Sequence, residues 1–380
     1  MMSATMHDVS PAQALAARLR SQPPRIGLLA SGPLDAITDV AGVRVGHATL
    51  DRDDVQTGVT VIDPHAGDPY RDKVPAGLAV INGFGKSVGL VQLQELGQLE
   101  TPIALTNTYS VSAVAEAQIR QCGQANPETG RSLPTVNPLV LECNDGFLND
   151  IQRMAVTGDD YLAACTQAGL QPAQGSVGAG RGMSSFQLKG GIGSASRRVP
   201  MSHAQPHEAI QQGRPVPRTF TVGALVLSNY GVLPNFCWGG ERLGPQLATL
   251  LDDEARAQAQ APEKGSIIMV LATDAPLDAR QLSRLAARAG AGLARTGSVY
   301  GHGSGDIALA FSTAYTLPHQ ADRPMPAVST VHETLLDGLF QAAADSVEQA
   351  IVHALWWASP VTGRNGHHRR ALRDLLARLD

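Results

Sequence analysis

Ser266 stands where one residue could supply both a nucleophile and a base. It follows Gly265 and opens an apolar, β-branched run, Ser266-Ile267-Ile268-Met269-Val270. A serine hydroxyl is a poor nucleophile until a base takes its proton, and a free α-amine titrates near pH ~7.7–8.0. Cutting the chain before Ser266 would put the two groups side by side. Gly265 suits the cut, because a residue without Cβ tolerates strained backbone angles and lets Oγ approach the preceding carbonyl. The same pair also reads as an ordinary turn opening a buried strand, since Gly-Ser is a common turn pair.

Other residues could complete such a site. Asn229 ends the apolar strand pattern TFTVGALVLSN (219–229), where a side-chain amide can project into a site and hold an oxyanion or cap a turn. Ser304 and Asp306 lie two apart in GHGSGD (301–306), so on a strand they point the same way and could orient an α-amine. Lys189 precedes Gly190-Gly191-Ile192-Gly193, and a lysine among glycines and apolar residues must snorkel or pair. Gly178-Ala179-Gly180-Arg181-Gly182 has Met183 where the third glycine of a dinucleotide fingerprint belongs, so it predicts close backbone approach rather than a nucleotide site.

His203 and His207 flank Pro206, which argues against a helical metal pair. The four cysteines, Cys122, Cys143, Cys165 and Cys237, form no CxxC pair and read as reduced thiols, Cys143 as core. No metal and no cofactor are expected. His367-His368-Arg369-Arg370 reads as a solvated basic tail.

A chain of 380 residues can bury a substantial core. With 17% charged and 4% aromatic residues, 39 glycines and 24 prolines, it is globular and rich in turns. A net charge of −4 gives no electrostatic case for nucleic acid or an anionic membrane, so small molecules or peptides are the expected partners. No stretch of eighteen apolar residues and no signal-like h-region occurs, which predicts a soluble cytoplasmic protein.

The elements that must position these residues follow from periodicity. Residues 1–25 read as a helix and linker. Strands are expected within 32–47 and over 57–64, 77–83, 102–108, 219–229, 266–272 and 305–314, with another in PLVLECNDGFLND (138–150). Helices are expected over 88–96, 158–169, 278–295 and 329–358. Residues 243–264 read as an exposed polar connector, and 363–380 as a turn and a short basic helix. Strands fall on both sides of residue 265, so residues 26–380 are read as one domain, an α/β fold with two stacked sheets between helices, an αββα sandwich.

The blocks GPLDAITDVAGVRVGH, TGVTVI, NGFGK, TPIALTNTYSV, ECNDGFLNDI, GSVGAGRGM, KGGIGSASR, LVLSNYG, GSIIMVLATDAPL, GSGDIALAFSTA and HALWWASPVTGRNGH resemble, in the same order, the DmpA-type L-aminopeptidase/D-amidase/D-esterases and β-peptidyl aminopeptidases. The resemblance covers about residues 25–366. It implies a fold similar to N-terminal-nucleophile hydrolases with its own connectivity, self-cleavage between Gly265 and Ser266 into 1–265 and 266–380, and a homo-oligomer of processed pairs. It also implies hydrolysis of N-terminal amino-acid amides, esters or short peptides through an acyl-enzyme on Ser266.

Carried over by motif, Ser266 is the nucleophile and Asn229 the oxyanion amide. Ser304 and Asp306 sit near the free amine, Asp306 also being a candidate contact for the substrate amine. Lys189 matches a lysine near the nucleophile in related nylon-oligomer hydrolases. Phe147 falls where the family's tyrosine is expected; as a substrate-binding residue it can pack but cannot donate a hydrogen bond. Residues 202–218 and the tail beyond His367 have no clear family counterpart. The alternatives are an acyltransferase of the ornithine acetyltransferase type, which uses threonine, and a silent scaffold of the same fold.

Overall fold

The structure, a computed structural model, describes residues 22–201, 219–251 and 264–379. The strands are β1 (Arg44–Arg52), β2 (Val55–Asp63), β3 (Asp72–Gly83), β4 (Ile103–Asn107), β5 (Val140–Cys143), β6 (Gly191–Pro200), β7 (Thr219–Asn229), β8 (Lys264–Thr273) and β9 (Gly303–Ser312). The helical patterns form α1 (Leu90–Leu96), α2 (Val111–Ala125), α3 (Gly158–Thr166), α4 (Ala279–Ala287), α5 (Ala289–Arg295), α6 (Leu336–Trp356) and α7 (Leu372–Leu376). One sheet has the order β1-β2-β4-β5 and the other β3-β9-β8-β7-β6, with the short strand Leu317–Pro318 beside β3. The pairs β4·β5 and β8·β9 are parallel, so both sheets are mixed.

Alternation along each strand builds three apolar layers. Val59 and Val61 pack with Val111, Val114 and Tyr161 outside the first sheet. Ile62, Leu105 and Leu141 meet Leu225, Leu227, Ile268 and Val270 between the sheets. Val226, Ile267 and Met269 pack with Leu282, Leu285, Leu293 and Val347 outside the second. The order is helix, sheet, sheet, helix, the αββα sandwich expected from sequence. Burying a side chain of this size contributes about 1.5–3 kcal/mol. A one-residue slip of β8 would exchange its two buried faces, so packing fixes its register. That register also decides which way Ser266 points.

Several elements depart from their sequence reading. β6 lies in a segment read only as glycine-rich, because Gly-Ile-Gly-Ser-Ala-Ser lacks a β-branched pattern. Its small residues admit α6: a Cβ on Gly193 would lie 1.8 Å from Ala350 O. The helix expected over 278–295 is two helices meeting at Arg288, and on α5 a Cβ at Gly292 would lie 2.5 Å from Ala344 O of α6. α6 starts at Leu336, after a 3₁₀ turn over Glu333–Leu335. The first part of the expected exposed connector is buried instead, with Leu243, Leu247 and Leu251 in the helix-side core. α7 likewise buries Leu372, Leu375 and Leu376 there. Residues 1–21, the 202–218 segment with His203 and His207, and connector residues 252–263 lie outside the described residues.

Candidate active site

Ser266 is the third residue of β8, opposite Asn229 of β7 and Gly305 of β9. It is two residues before Ile268, so its side chain shares the face that looks between the sheets. Asn229, two residues after Leu227, shares that face from the neighbouring strand. Ser266 is 6% exposed, and the Gly305 N–H donates to its Oγ at 3.2 Å. The backbone is tight on both sides of the serine. A Cβ on Gly265 would lie 2.1 Å from Asn229 O, and one on Gly305 would lie 2.7 Å from Phe84 O.

The Asn229 carboxamide is held at both ends. Its Oδ1 accepts from Ser184 N–H at 2.8 Å, and its Nδ2 donates to Asn144 O at 2.9 Å. An amide nitrogen carries two hydrogens, so this one can still offer a second while its orientation stays fixed.

Ser304 and Asp306 are opposite Gly265 and Ile267, which places them on the helix-side face with Ile267. Both are fully buried, and Ser304 Oγ donates to Asp306 Oδ1 at 2.6 Å. The two-residue spacing therefore puts both side chains on one face. The turn before them is pinned by Asn82 Nδ2, which donates to Gly301 O at 3.0 Å and also to Ser304 O.

Lys189 is fully buried, and Nζ donates to Gly180 O, Met183 O and Gly190 O at 2.8, 2.9 and 2.8 Å. Burial pushes its pKa well below the ordinary value, the nearby Arg181 charge adds to this, and Asp145 opposes it. Three carbonyl acceptors nonetheless require three N–H donors, which only the ammonium has. These bonds tie the lysine to its own segment rather than to Ser266.

That segment is a short hairpin, Ser184–Ser185 paired with Leu188–Lys189. Its two turn residues, Phe186 and Gln187, have φ of 54° and 56°, a region costly for residues with side chains. Phe186 is held there by packing its buried ring on Tyr230 and Phe236, at centroid distances of 5.1 and 4.7 Å.

Phe147 stacks on His367 at 4.6 Å, the Arg369 guanidinium lies 3.6 Å over its ring, and Arg369 Nε donates to Ser184 Oγ at 3.2 Å. His367 and Arg369 therefore pack on Phe147 in place of the solvated tail their charge suggested, while His368 is exposed. They cover the loop after β5, and burial lowers the Arg369 pKa to about 10. Cys143 is core: it is fully buried, and burial raises its thiol pKa well above the ordinary value. The sequence reading missed Asn144, Asp145, Ser184 and the Gly305 N–H. The first two lie in ECNDGFLND directly after an apolar strand, where loops carry site residues, and that was the available signal.

A strand-borne serine at the start of a central strand of an αββα sandwich places the chain among amide hydrolases of the N-terminal-nucleophile type of fold. The chain belongs to Peptidase family S58, whose model matches residues 35–369. It is 37% identical over 354 residues to the β-peptidyl aminopeptidase BapA of Sphingosinicella microcystinivorans, covering 88% of this chain and 85% of that one.

A Burkholderia sp. β-aminopeptidase structure is similar with a TM-score of 0.81 and 40% identity, over 93% of this chain and 96% of that one. The L-aminopeptidase D-Ala-esterase/amidase of Ochrobactrum anthropi, described as a serine aminopeptidase prototype and a new variant of the Ntn hydrolase fold, matches with a TM-score of 0.82 and 34% identity over 96% and 97% of the two chains. The chain is a hydrolase, an aminopeptidase/amidase. The acyltransferase and scaffold alternatives are not favoured. Among the described residues, no helix is long and apolar enough to cross a membrane.

Proposed function

We propose that the chain cuts itself between Gly265 and Ser266 and then uses Ser266 to remove N-terminal residues from small amides, esters or short peptides. The observation that carries this reading is the two-sided arrangement at Ser266. Asn229 lies opposite it on the between-sheet face, while the Ser304–Asp306 pair lies on the other face of the neighbouring strand, opposite the two residues that flank Ser266.

In maturation, Ser266 Oγ attacks the Gly265 carbonyl, the C–N bond breaks as the nitrogen takes the hydroxyl proton, and water hydrolyses the resulting ester. The products are residues 1–265, ending in a carboxylate, and residues 266–380, beginning with a free amine. In turnover that amine accepts the Oγ proton while Oγ attacks the first carbonyl of the substrate. The second N–H of Asn229 steadies the oxyanion, the leaving amine or alcohol departs with the proton, and water releases the acyl group.

Asp306, oriented by Ser304, holds the Ser266 amine in position or binds the free amine of the substrate, which suits unblocked N-termini. Phe147 and the residues packed on it form one wall of the substrate site. The named activities of the relatives support both α- and β-amino acids as first residues. Assembly of processed pairs into a homo-oligomer belongs to the same proposal, and light scattering of the purified protein tests it.

Trapping tests the nucleophile. With a slowly deacylated N-terminal amino-acid ester, mass spectrometry should find the acyl group on the 266–380 piece, and Ser266→Ala should show neither acyl group nor cleavage. An acyl group on 1–265, or a Ser266→Ala protein that turns over normally, removes Ser266 from this role.

A further inference from the structure

A cavity of about 390 Å³ opens between the outer face of the first sheet and α2, and the proposed chemistry does not use it. It is lined at the ends of β1 and β2 by Arg44 and Asp63, which stand directly opposite each other. Both lie two residues beyond the pair Gly46 and Val61, and Val61 packs against α2, so the two charged side chains share that outer face. Directly opposite residues have Cβ atoms about 4.5–5.5 Å apart. An arginine and an aspartate so placed ordinarily join, yet no ion pair within 4.0 Å links them among the described residues.

Asp63 is half-buried and accepts no side-chain hydrogen bond from the described residues. Its neighbour His65 is committed elsewhere, Nδ1 accepting from Gly67 N–H at 3.0 Å and Nε2 donating to Asp72 O at 2.7 Å. A carboxylate withdrawn from water without a donor is costly. The rest of the wall offers further partners. Gln121 Oε1 accepts from the Tyr161 hydroxyl at 2.7 Å, which fixes the amide and leaves its Nε2 hydrogens for another acceptor. Thr101 lines the cavity too, with Oγ1 buried and without a partner among the described residues, the kind of group that a bound molecule satisfies. Cys122 and Ala125 of α2 supply apolar wall.

We propose that this cavity binds a free amino acid as its zwitterion, with the ammonium on Asp63, the carboxylate on Arg44 and Gln121, and an apolar side chain against Cys122 and Ala125. One zwitterion brings both charges that Arg44 and Asp63 can receive; an amine or a carboxylate alone brings one. The volume falls within the range of about 300–1,000 Å³ usual for small-molecule sites. The reaction proposed above releases molecules of this class, but the assignment rests on the cavity's own groups and stands whether or not Ser266 is the nucleophile.

The cavity is separate from that serine. Ile62 pairs with Ile103 at this end of the first sheet, while Asn107 pairs with Cys143 at the other, beside Asn144. Four residues of β4 separate the two ends by about 13 Å. Ser266 also faces between the sheets, whereas the cavity lies outside the first one.

Calorimetric titration of the purified protein with L-leucine, 3-methylbutylamine and 4-methylpentanoate tests the proposal, the last two being leucine without its carboxylate and without its ammonium. Leucine should bind, and each truncated analogue should bind about 10-fold more weakly or worse. Asp63→Asn, which keeps the side chain's shape, should weaken leucine by about 10-fold, and Arg44→Gln, at an exposed position, by about 3-fold. Turnover of an N-terminal amino-acid p-nitroanilide should stay within about two-fold of wild type in both variants, because neither residue is near Ser266.

No binding at millimolar leucine overturns the proposal. So does equal binding to wild type and Asp63→Asn, which would put the amino acid elsewhere, and so does an amine that binds as tightly as leucine, since the carboxylate would then go unread. Thermal unfolding without ligand checks that each variant is folded; if Asp63→Asn is not, Arg44→Gln and the analogue series on the wild-type protein still decide the matter.

Discussion

Gly265→Ala is the sharpest perturbation of the maturation step, because it adds one methyl group at the bond to be broken. The added Cβ would sit 2.1 Å from Asn229 O and 2.8 Å from Tyr230 Cα. Both are backbone atoms of β7 and its continuation, so no side chain can swing away. Real Cβ atoms essentially never come within 3.0 Å of such neighbours, so the start of β8 must move by about 0.9 Å, the difference between 3.0 and 2.1 Å. That movement shifts the Gly265 carbonyl relative to Ser266 Oγ. A misplacement near ~1 Å costs on the order of 10²-fold in rate, or roughly 2.7 kcal/mol of barrier.

The assay is a time course of freshly purified protein by denaturing gel and intact mass, with thermal unfolding as the control for fold. Gly265→Ala should accumulate as a folded 380-residue chain with cleavage slowed by about two orders of magnitude. A variant that folds and splits at the wild-type rate would show that close packing around Gly265 does not set the geometry of the cut.

Three further outcomes follow from the site and from one group distant from it. Asn229→Ala should lower kcat by ~10²–10³ with a small change in KM, measured on processed enzyme; near-normal turnover removes Asn229 from the oxyanion role. Asp306→Asn tests the proposed placement of that carboxylate beside the Ser266 amine. A nearby carboxylate favours the ammonium form and so raises the amine pKa. Since the amine acts as a base only when neutral, the rising limb of the kcat–pH profile should move to lower pH in the variant. An unmoved limb, or one displaced upward, contradicts that placement.

Asp63, at the far end of β2, has its pKa raised from 3.8 to about 6 by burial, partly offset by Arg44 and His65. A raised folded-state pKa contributes stability that is fully present below the unfolded value of 3.8 and lost as pH rises through about 6. Asp63→Asn should therefore flatten the fall in melting temperature between those pH values and be relatively more stable at neutral pH. Parallel wild-type and variant melting curves across the range would refute this.

The sequence made the strands of the site legible because β7 and β8 are β-branched runs and β9 an apolar run, each with sharp ends. The two-residue spacing of Ser304 and Asp306 likewise gave their shared face. β6 stayed hidden because its glycines and serines answer to the backbone of α6, a contact that no local pattern encodes. The break at Arg288 was invisible because Leu282, Leu285 and Leu293 continue a helical spacing across it. Arg369 looked like tail charge, and only the packing of His367 and Arg369 on Phe147 shows its ring contact. Lys189 was noticed for its odd company.

The central claim is that Ser266 becomes the first residue of a chain and acts from there. Intact-mass measurement of freshly purified wild-type protein, combined with labelling of free α-amines, tests it most directly. The expected result is two species, residues 1–265 and 266–380, with the second carrying a labelled amine on Ser266 and activity rising in step with its appearance. A single uncut chain of 380 residues with full aminopeptidase activity would contradict it.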